Sequence, residues 1–307
     1  MLRFALLRIL SAIPTLLLVI VLAFLLVHAA PGGPFDAERV LAPEVEQNIK
    51  HAYHLDESLP NQFIRYLDGL LHGDLGPSYR YRAYTVSEII ANAAPVSFLI
   101  GTLSLLVALV VGVIAGMFAA VRRNTVADRV VSGVAMTGIS IPVFVVAPLL
   151  VLLFAVRLNW LPASFSGSEG AARFVLPVLA LALPQIAYIA RLFRASMIEV
   201  LESDYVRTAR SHGLSMPSII RFHALKPASL PLLSYMGPAI AAVLTGSVVV
   251  EQLFGIPGLG QMFVNSALNR DYTLVLGLVI FYAALIISLN LIVDLLYGFI
   301  DPRVRRR

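Results

Sequence analysis

The chain has 307 residues, 59% hydrophobic and 13% charged, with 23 Lys and Arg against 18 Asp and Glu. A soluble domain carries about 25% charge, so the composition excludes a water-soluble enzyme or binding module and predicts an all-α polytopic membrane protein. The net charge of +5 is not a nucleic-acid footprint, because the basic residues follow membrane topology. There is no cysteine, which excludes disulfides in exterior loops. No GxxxxGK[ST] phosphate loop is present.

Six apolar segments are long enough to cross a hydrocarbon layer of about 30 Å, which takes about 20 helical residues. They lie near 9–30, 95–121, 130–156, 174–192, 228–252 and 273–299. The first follows Arg3 and Arg8, but its apolar run outlasts the roughly 7–15 residues of a signal peptide and is expected to be an uncleaved span. Pro14, Pro142, Pro148, Pro177, Pro184 and Pro238 sit in or beside spans, where neighbouring helices absorb the freed carbonyls. Bent helices around a shared interior are expected. Gly112 and Gly116 form a GxxxG, read as a close-packing face.

Orientation follows from the cations. Arg3 and Arg8; Arg122, Arg123 and Arg129; Arg191, Arg194, Arg207, Arg210, Arg221 and Lys226; and Arg303, Arg305, Arg306 and Arg307 all fall on one side. The positive-inside rule makes that side cytoplasmic, with both termini on it.

The long outer loop, Pro31–Ala94, reads as helical over Glu44–Leu71 with a break at Pro60, then irregular and aromatic over Gly73–Tyr84. His51 and His54 share HxxH spacing beside Asp56 and Glu57, but no third ligand is fixed, so a polar helix face is the simpler reading. The last outer loop, Phe254–Gln261, has glycines that follow no strand and suit turns.

Few charges fall inside spans. Asn290 and Asp294, with Tyr297 near the same face, read as a helix-packing hydrogen-bond cluster. His28 and Glu251 lie at outer span ends, where snorkelling to water is available. Gln185, Tyr188, Thr245 and Ser247 are candidates for a polar route. Without a chain of acids or histidines at mid-membrane, or internal inverted repeats, an ion-coupled secondary transporter is disfavoured. HExxH and GxSxG are absent, which disfavours a membrane hydrolase.

The longest polar, basic interruption of the second half is Asp204–Pro227. Asp204 is expected to cap a short helix whose last turn runs to His212, with Gly213 in a left-handed C-terminal position. Ser215 offers a second N-cap, Pro217 fits its first turn, and Met216, Ile219, Ile220 and His223 share a face. Lys226-Pro227 is expected to end it. So short a helix–turn–helix must dock its apolar stripe on lipid, its own spans or another protein.

RTARSHG at 207–213 followed by HALKPA at 223–228 resembles the coupling loop of membrane subunits of binding-protein-dependent ABC importers. Ala209, Gly213 and Leu225 match that motif, while Arg207 replaces its glutamate and Lys226 its proline. YHLDESLPNQFIRYL, GDLGPSYRYR, AMTGISIPVFVVAPLL, ASMIEVL, LSYMGP, PGLGQMFVNSALNRDY and DLLYGFIDPRVR extend the resemblance over nearly the whole chain, to the B-type inner-membrane subunits of bacterial oligopeptide permeases. SALNRDY and LSYMGP favour the oligopeptide branch over dipeptide, murein-peptide and nickel relatives.

The resemblance implies a single transmembrane domain over 1–307 in the bacterial cytoplasmic membrane. It also implies a second, C-type permease, two cytoplasmic ATPases that bind ATP and Mg, and a periplasmic or lipid-anchored binding protein, with no cofactor, catalysis or nucleic acid in this chain. ATPase coupling is carried over to Tyr205, Val206, Arg207, Ala209, Arg210, Gly213 and His223, where Tyr205, Ala209 and Gly213 enter a groove and the arginines pair with acids at its rim. Pro31–Ala94 and Phe254–Tyr272 are the expected binding-protein platform, with Gly255, Pro257, Gly258, Gly260, Asn269 and Arg270 as contacts.

Overall fold

The computed structural model describes residues 2–29, 47, 51, 54, 56–165 and 170–300. Chain order gives α1 (Leu2–Ala29), α2 (Leu59–Leu71), α3 (Val86–Val121), α4 (Val126–Ser140) and α5 (Val143–Leu150), which a π turn continues over Val151–Arg157. Then come α6 (Val175–Leu201), α7 (Asp204–Ser211) and α8 (Met216–Ile219), with a second π turn, Ile220–Ala224, leading into α9 (Leu225–Ala228). The rest is α10 (Leu230–Phe254), α11 (Leu259–Leu268) and α12 (Tyr272–Ile300). Among the described residues there is no strand, only an isolated bridge between Pro77 and Thr85.

Among the described residues five helices are long and apolar enough to span, and the expected span at 130–156 is broken instead. α4 and α5 meet at 107° across Ile141-Pro142, so six spans result only if the bent pair counts as one. Pro142 cannot donate to the fourth carbonyl behind it and biases Ile141 out of the helical region. Ile141 accordingly sits at φ −88°, ψ 121°. Pro148 removes another donor just before the first π turn.

Two other spans overrun their expected limits. A capping box, in which Thr85 accepts from the Glu88 amide and the Glu88 carboxylate accepts from the Thr85 amide, starts α3 at Val86 rather than at Pro95, which lies inside it. α6 runs to Leu201 because nothing between Leu192 and Leu201 breaks a helix. Pro60 sits in the first turn of α2, where its missing N–H has no acceptor anyway, and the helix expected from Glu44 up to that break falls mostly outside the described residues.

In lipid, helices do not associate by escaping water; small residues let backbones approach. The Gly112/Gly116 pair does this between α3 and α6: a Cβ on Gly116 would stand 2.5 Å from the Ala190 carbonyl oxygen, and one on Gly112 2.7 Å from Ile189 Cγ2. A Cβ on Gly138 would stand 3.0 Å from Ala187 Cβ, joining α4 to α6. α6 is therefore the central post. At one end Phe193, Met197 and Leu201 pack with Val206, Ala209 and Ile219, and toward the other Leu176 and Leu181 meet Ile100, Val243 and Phe254.

At the cation-rich turn between α3 and α4 Asp128, itself buried, accepts from Arg194 Nε at 2.5 Å and Nη2 at 2.8 Å. At the outer ends, α2 lays Phe63, Tyr66, Leu67 and Leu70 against Ile20 and Phe24 of α1 and Leu276 and Ile280 of α12. His28 does not snorkel freely: it stacks on Phe24 and its Nε2 lies 3.2 Å from Gln62 Oε1 of α2.

Candidate functional sites: a basic helical hook and an outer-loop node

α7 and α8 form a hook between α6 and α10. Ser203, not Asp204, holds the N-cap position, extended at φ −67°, ψ 153°. Its hydroxyl turns back to the Val200 carbonyl, and its own carbonyl accepts from the Val206 and Arg207 amides. At the far end Gly213 takes φ +80°, and the Gly213 and Leu214 amides close on the Arg210 and Ala209 carbonyls. Left-handed backbone there costs an L side chain roughly 1 kcal/mol or more, so glycine sets the tightness of the turn.

Ser215 caps α8 with Pro217 in its first turn. The helix does not stop at Lys226-Pro227; it continues through the π turn to Ala228, and only Ser229 separates it from α10. Pro227 leaves the His223 carbonyl without an amide four residues on, and Tyr205 Oη donates to that oxygen at 3.4 Å. Tyr205 thus clasps α7 to the second limb.

Burial divides the candidate residues into two faces. Val206 is fully buried and Ala209 is 6% exposed; both pack with Met197, Leu201, Ile219 and Ala224. Val206 and Ala209 therefore face this chain's own post, a correction to the expectation that Ala209 enters a groove on a partner. The cause is register: positions 206 and 209 repeat every three residues, and with Ile219 they supply the apolar stripe that roots the hook.

The open face carries Tyr205, Arg207, Arg210 and Gly213, joined by Leu214, Met216, Phe222 and Leu225. Phe222, 69% exposed, had no place in the sequence reading. Its signal was an aromatic residue one position off the inward stripe. His223 is half-buried, its Nδ1 without a hydrogen-bond partner among the described residues. Nor is the expected face of Met216, Ile219, Ile220 and His223 uniform: Ile219 is buried, Met216 exposed.

The outer end holds a second built site. Glu251 is fully buried, not snorkelling. One carboxylate oxygen accepts from Ser97 Oγ at 2.7 Å, the other from the Gly260 amide at 2.7 Å and the Gln261 amide at 3.3 Å. Ser97 Oγ in turn accepts from the Leu259 amide at 2.8 Å. The unsatisfied amides and positive dipole end of α11 hold this carboxylate in place of water.

Gly258 and Gly260 are buried by this contact rather than available to a binding protein, because a Cβ on Gly258 would lie 2.4 Å from Glu251 Oε2 and one on Gly260 2.4 Å from Val248 Cα. Gly255 ends α10 at φ +67° and is exposed, as are Pro257 and Asn269, while Arg270 is half-buried at φ +55°.

A parallel node starts α12. Buried Asp271 accepts from Ser78 Oγ, from the Tyr79 and Arg80 amides and from the Leu274 amide. It binds the irregular loop after α2 to the last span, a partnership separated too far in sequence to be read from spacing.

Elsewhere, Asn290 lies against Gly237, where an added Cβ would stand 2.6 Å from Asn290 Oδ1, so it sits at the α10–α12 contact. The side chains of Asp294, Tyr297 and Thr245 lie outside the described residues. Tyr235 Oη donates to Gln185 Oε1 at 2.8 Å and stacks on Tyr188, while Ser247 is buried and donates to the Leu244 carbonyl. Gln185 also lines a cleft with Ile141, Pro142 and Val143 at the α4–α5 bend. His51 and His54 lie beside Asp56 and Glu57 at 3.2 and 3.1 Å.

The long apolar helices and the basic hook rooted in a central post define a multi-span membrane protein. The profile described as "Binding-protein-dependent transport system inner membrane component" matches residues 112–306, and its N-terminal counterpart matches residues 1–100. The chain belongs to this family and is a permease subunit, not an enzyme.

Its relatives include the "Oligopeptide transport system permease protein OppB" of Salmonella typhimurium, 53% identical over 99% of this chain and 100% of that one. The protein of the same name in Haemophilus influenzae is 48% identical over 99% and 100%. The "Dipeptide transport system permease protein DppB" of Bacillus subtilis is 41% identical over 99% and 98%.

Proposed function

We propose that the chain is the B-type permease of an importer that carries oligopeptides across the bacterial cytoplasmic membrane. A C-type permease lies beside it, two ATPases bind ATP and Mg below, and a binding protein delivers cargo above. The end-to-end identity of 53% to an oligopeptide permease supports this substrate over the dipeptides named for the relative at 41%.

The hook is the coupling element. Its inner face, Val206, Ala209 and Ile219, makes it one body with α6. Its outer face offers Tyr205, Phe222 and Leu225 to an apolar groove and Arg207 and Arg210 to acids at the rim. Closure of the ATPases on nucleotide would push the hook and, through α6, rock the spans as rigid bodies. Pathways for peptides need few side-chain contacts, because cargo varies in everything but backbone.

The experiment is uptake of a labelled oligopeptide by proteoliposomes holding the complete importer. Uptake should require ATP and collapse in the Tyr205→Ala, Phe222→Ala double variant, with the complex still intact on gel filtration. Uptake driven by an ion gradient without ATP would overturn the assignment.

A further inference from the structure

α4 and α6 are pinned together twice. Near mid-membrane Gly138 abuts Ala187, and at the cation-rich end Arg194 holds Asp128 in a two-pronged ion pair. The pins are ten residues apart along α4, or about 15 Å of helix. Between them the helices part, leaving a cavity of about 140 Å³. Val131, Ala135 and Met136 of α4 and Ala190 of α6 make it mostly apolar. Ser132, the other polar group on α4 there, faces Asp128 at 3.4 Å.

At the mouth stand two guanidiniums with different duties. Arg194 is neutralised by Asp128. Arg191, one turn away and exposed, makes no hydrogen bond or ion pair with the described residues. A mostly apolar slot of this size has room for a benzene-sized apolar group. With an unspent cation at its rim, at the depth where basic residues meet the inner leaflet, the slot matches one amphiphile with an anionic head.

We propose that this groove seats an anionic phospholipid of the cytoplasmic leaflet, its phosphate on Arg191 and the first part of an acyl chain between Ala135 and Ala190. Arg191 supplies a charge-assisted hydrogen bond that a zwitterionic head, carrying its own cation, uses less well. Because α6 also roots the hook, the lipid would brace the post against α4 just above the lever.

Native mass spectrometry of the complete importer, released from bilayers of equal phosphatidylglycerol and phosphatidylcholine, tests this. Expected is retention of phosphatidylglycerol in preference to phosphatidylcholine, reduced about fivefold by Arg191→Gln. Arg191→Lys should largely restore it. Arg122→Gln, which removes a cation of the same end stacked on Phe118, should leave it unchanged. Equal retention of both lipids, equal loss in the Arg122 variant, or no change in Arg191→Gln would each overturn the proposal; the last would mean that another protein chain fills the groove.

Discussion

Glu251 is the residue on which most of the outer-face order converges. Glu251→Ala strands the buried Gly260 amide and Ser97 hydroxyl and the half-buried Gln261 amide, the buried groups each worth about 1–3 kcal/mol when unsatisfied and not additive between neighbours. A loss of about 3 kcal/mol and a clear drop in the unfolding midpoint of the importer are expected; Glu251→Gln, which keeps one acceptor oxygen, should recover part of it. The two glycines nearby separate steric from conformational cost. Gly260→Ala drives a Cβ into the Val248 backbone and should cost more than Gly255→Ala, which meets open space and only the strain of φ +67°, about 1 kcal/mol. Thermal unfolding of the two variants side by side checks the order. The sequence read Gly255 correctly as an exposed turn but read Gly260, which opens α11 and is buried, the same way, because no local pattern says that a carboxylate nine residues upstream folds back over it. Gly213 was legible for the opposite reason: a helix C-terminus is decided within a few residues.

Among elements, α4 and α6 show how charge fixes helix against helix. Asp128→Asn leaves Arg194 without its carboxylate. With Arg194 itself partly exposed, the cost should fall below the range for a fully buried pair, at about 2 kcal/mol. The double variant Asp128→Asn, Arg194→Met should be less destabilised than the single, since no cation is then left unpaired; a double-mutant cycle on the unfolding midpoint measures this. Apolar length, caps and positive-inside bias made the long helices readable. What length concealed was the 107° bend: residues 130–156 are apolar enough for one span, and the prolines announced a bend without giving its angle. The hook's central turn at Gly213 was also local and readable, but its far end at Ala228 and its facing were not, since its stripe of Val206, Ala209 and Ile219 suits a partner groove as well as the chain's own post. Packing chose the post.

Across the whole molecule, buried carboxylates order the two connections that flank α11, and α6 runs from the core around Leu176 to the hook. Both the cluster around the hook and the cluster around Leu176 and Phe254 lie along α6. The two family profiles together match residues 1–100 and 112–306, and the relative at 53% identity is matched over its whole length. The absence of cysteine allows the central claim to be tested directly. Phe222→Cys and Ala209→Cys, each the sole cysteine of this chain, would be exposed to a short bifunctional cross-linker in the assembled importer. Cross-linking of Phe222→Cys to an ATPase, stronger with nucleotide bound, and none from the inward-facing Ala209→Cys, is the predicted result. An ATPase adduct from position 209, or none from 222 with nucleotide present, would contradict the proposed facing of the hook.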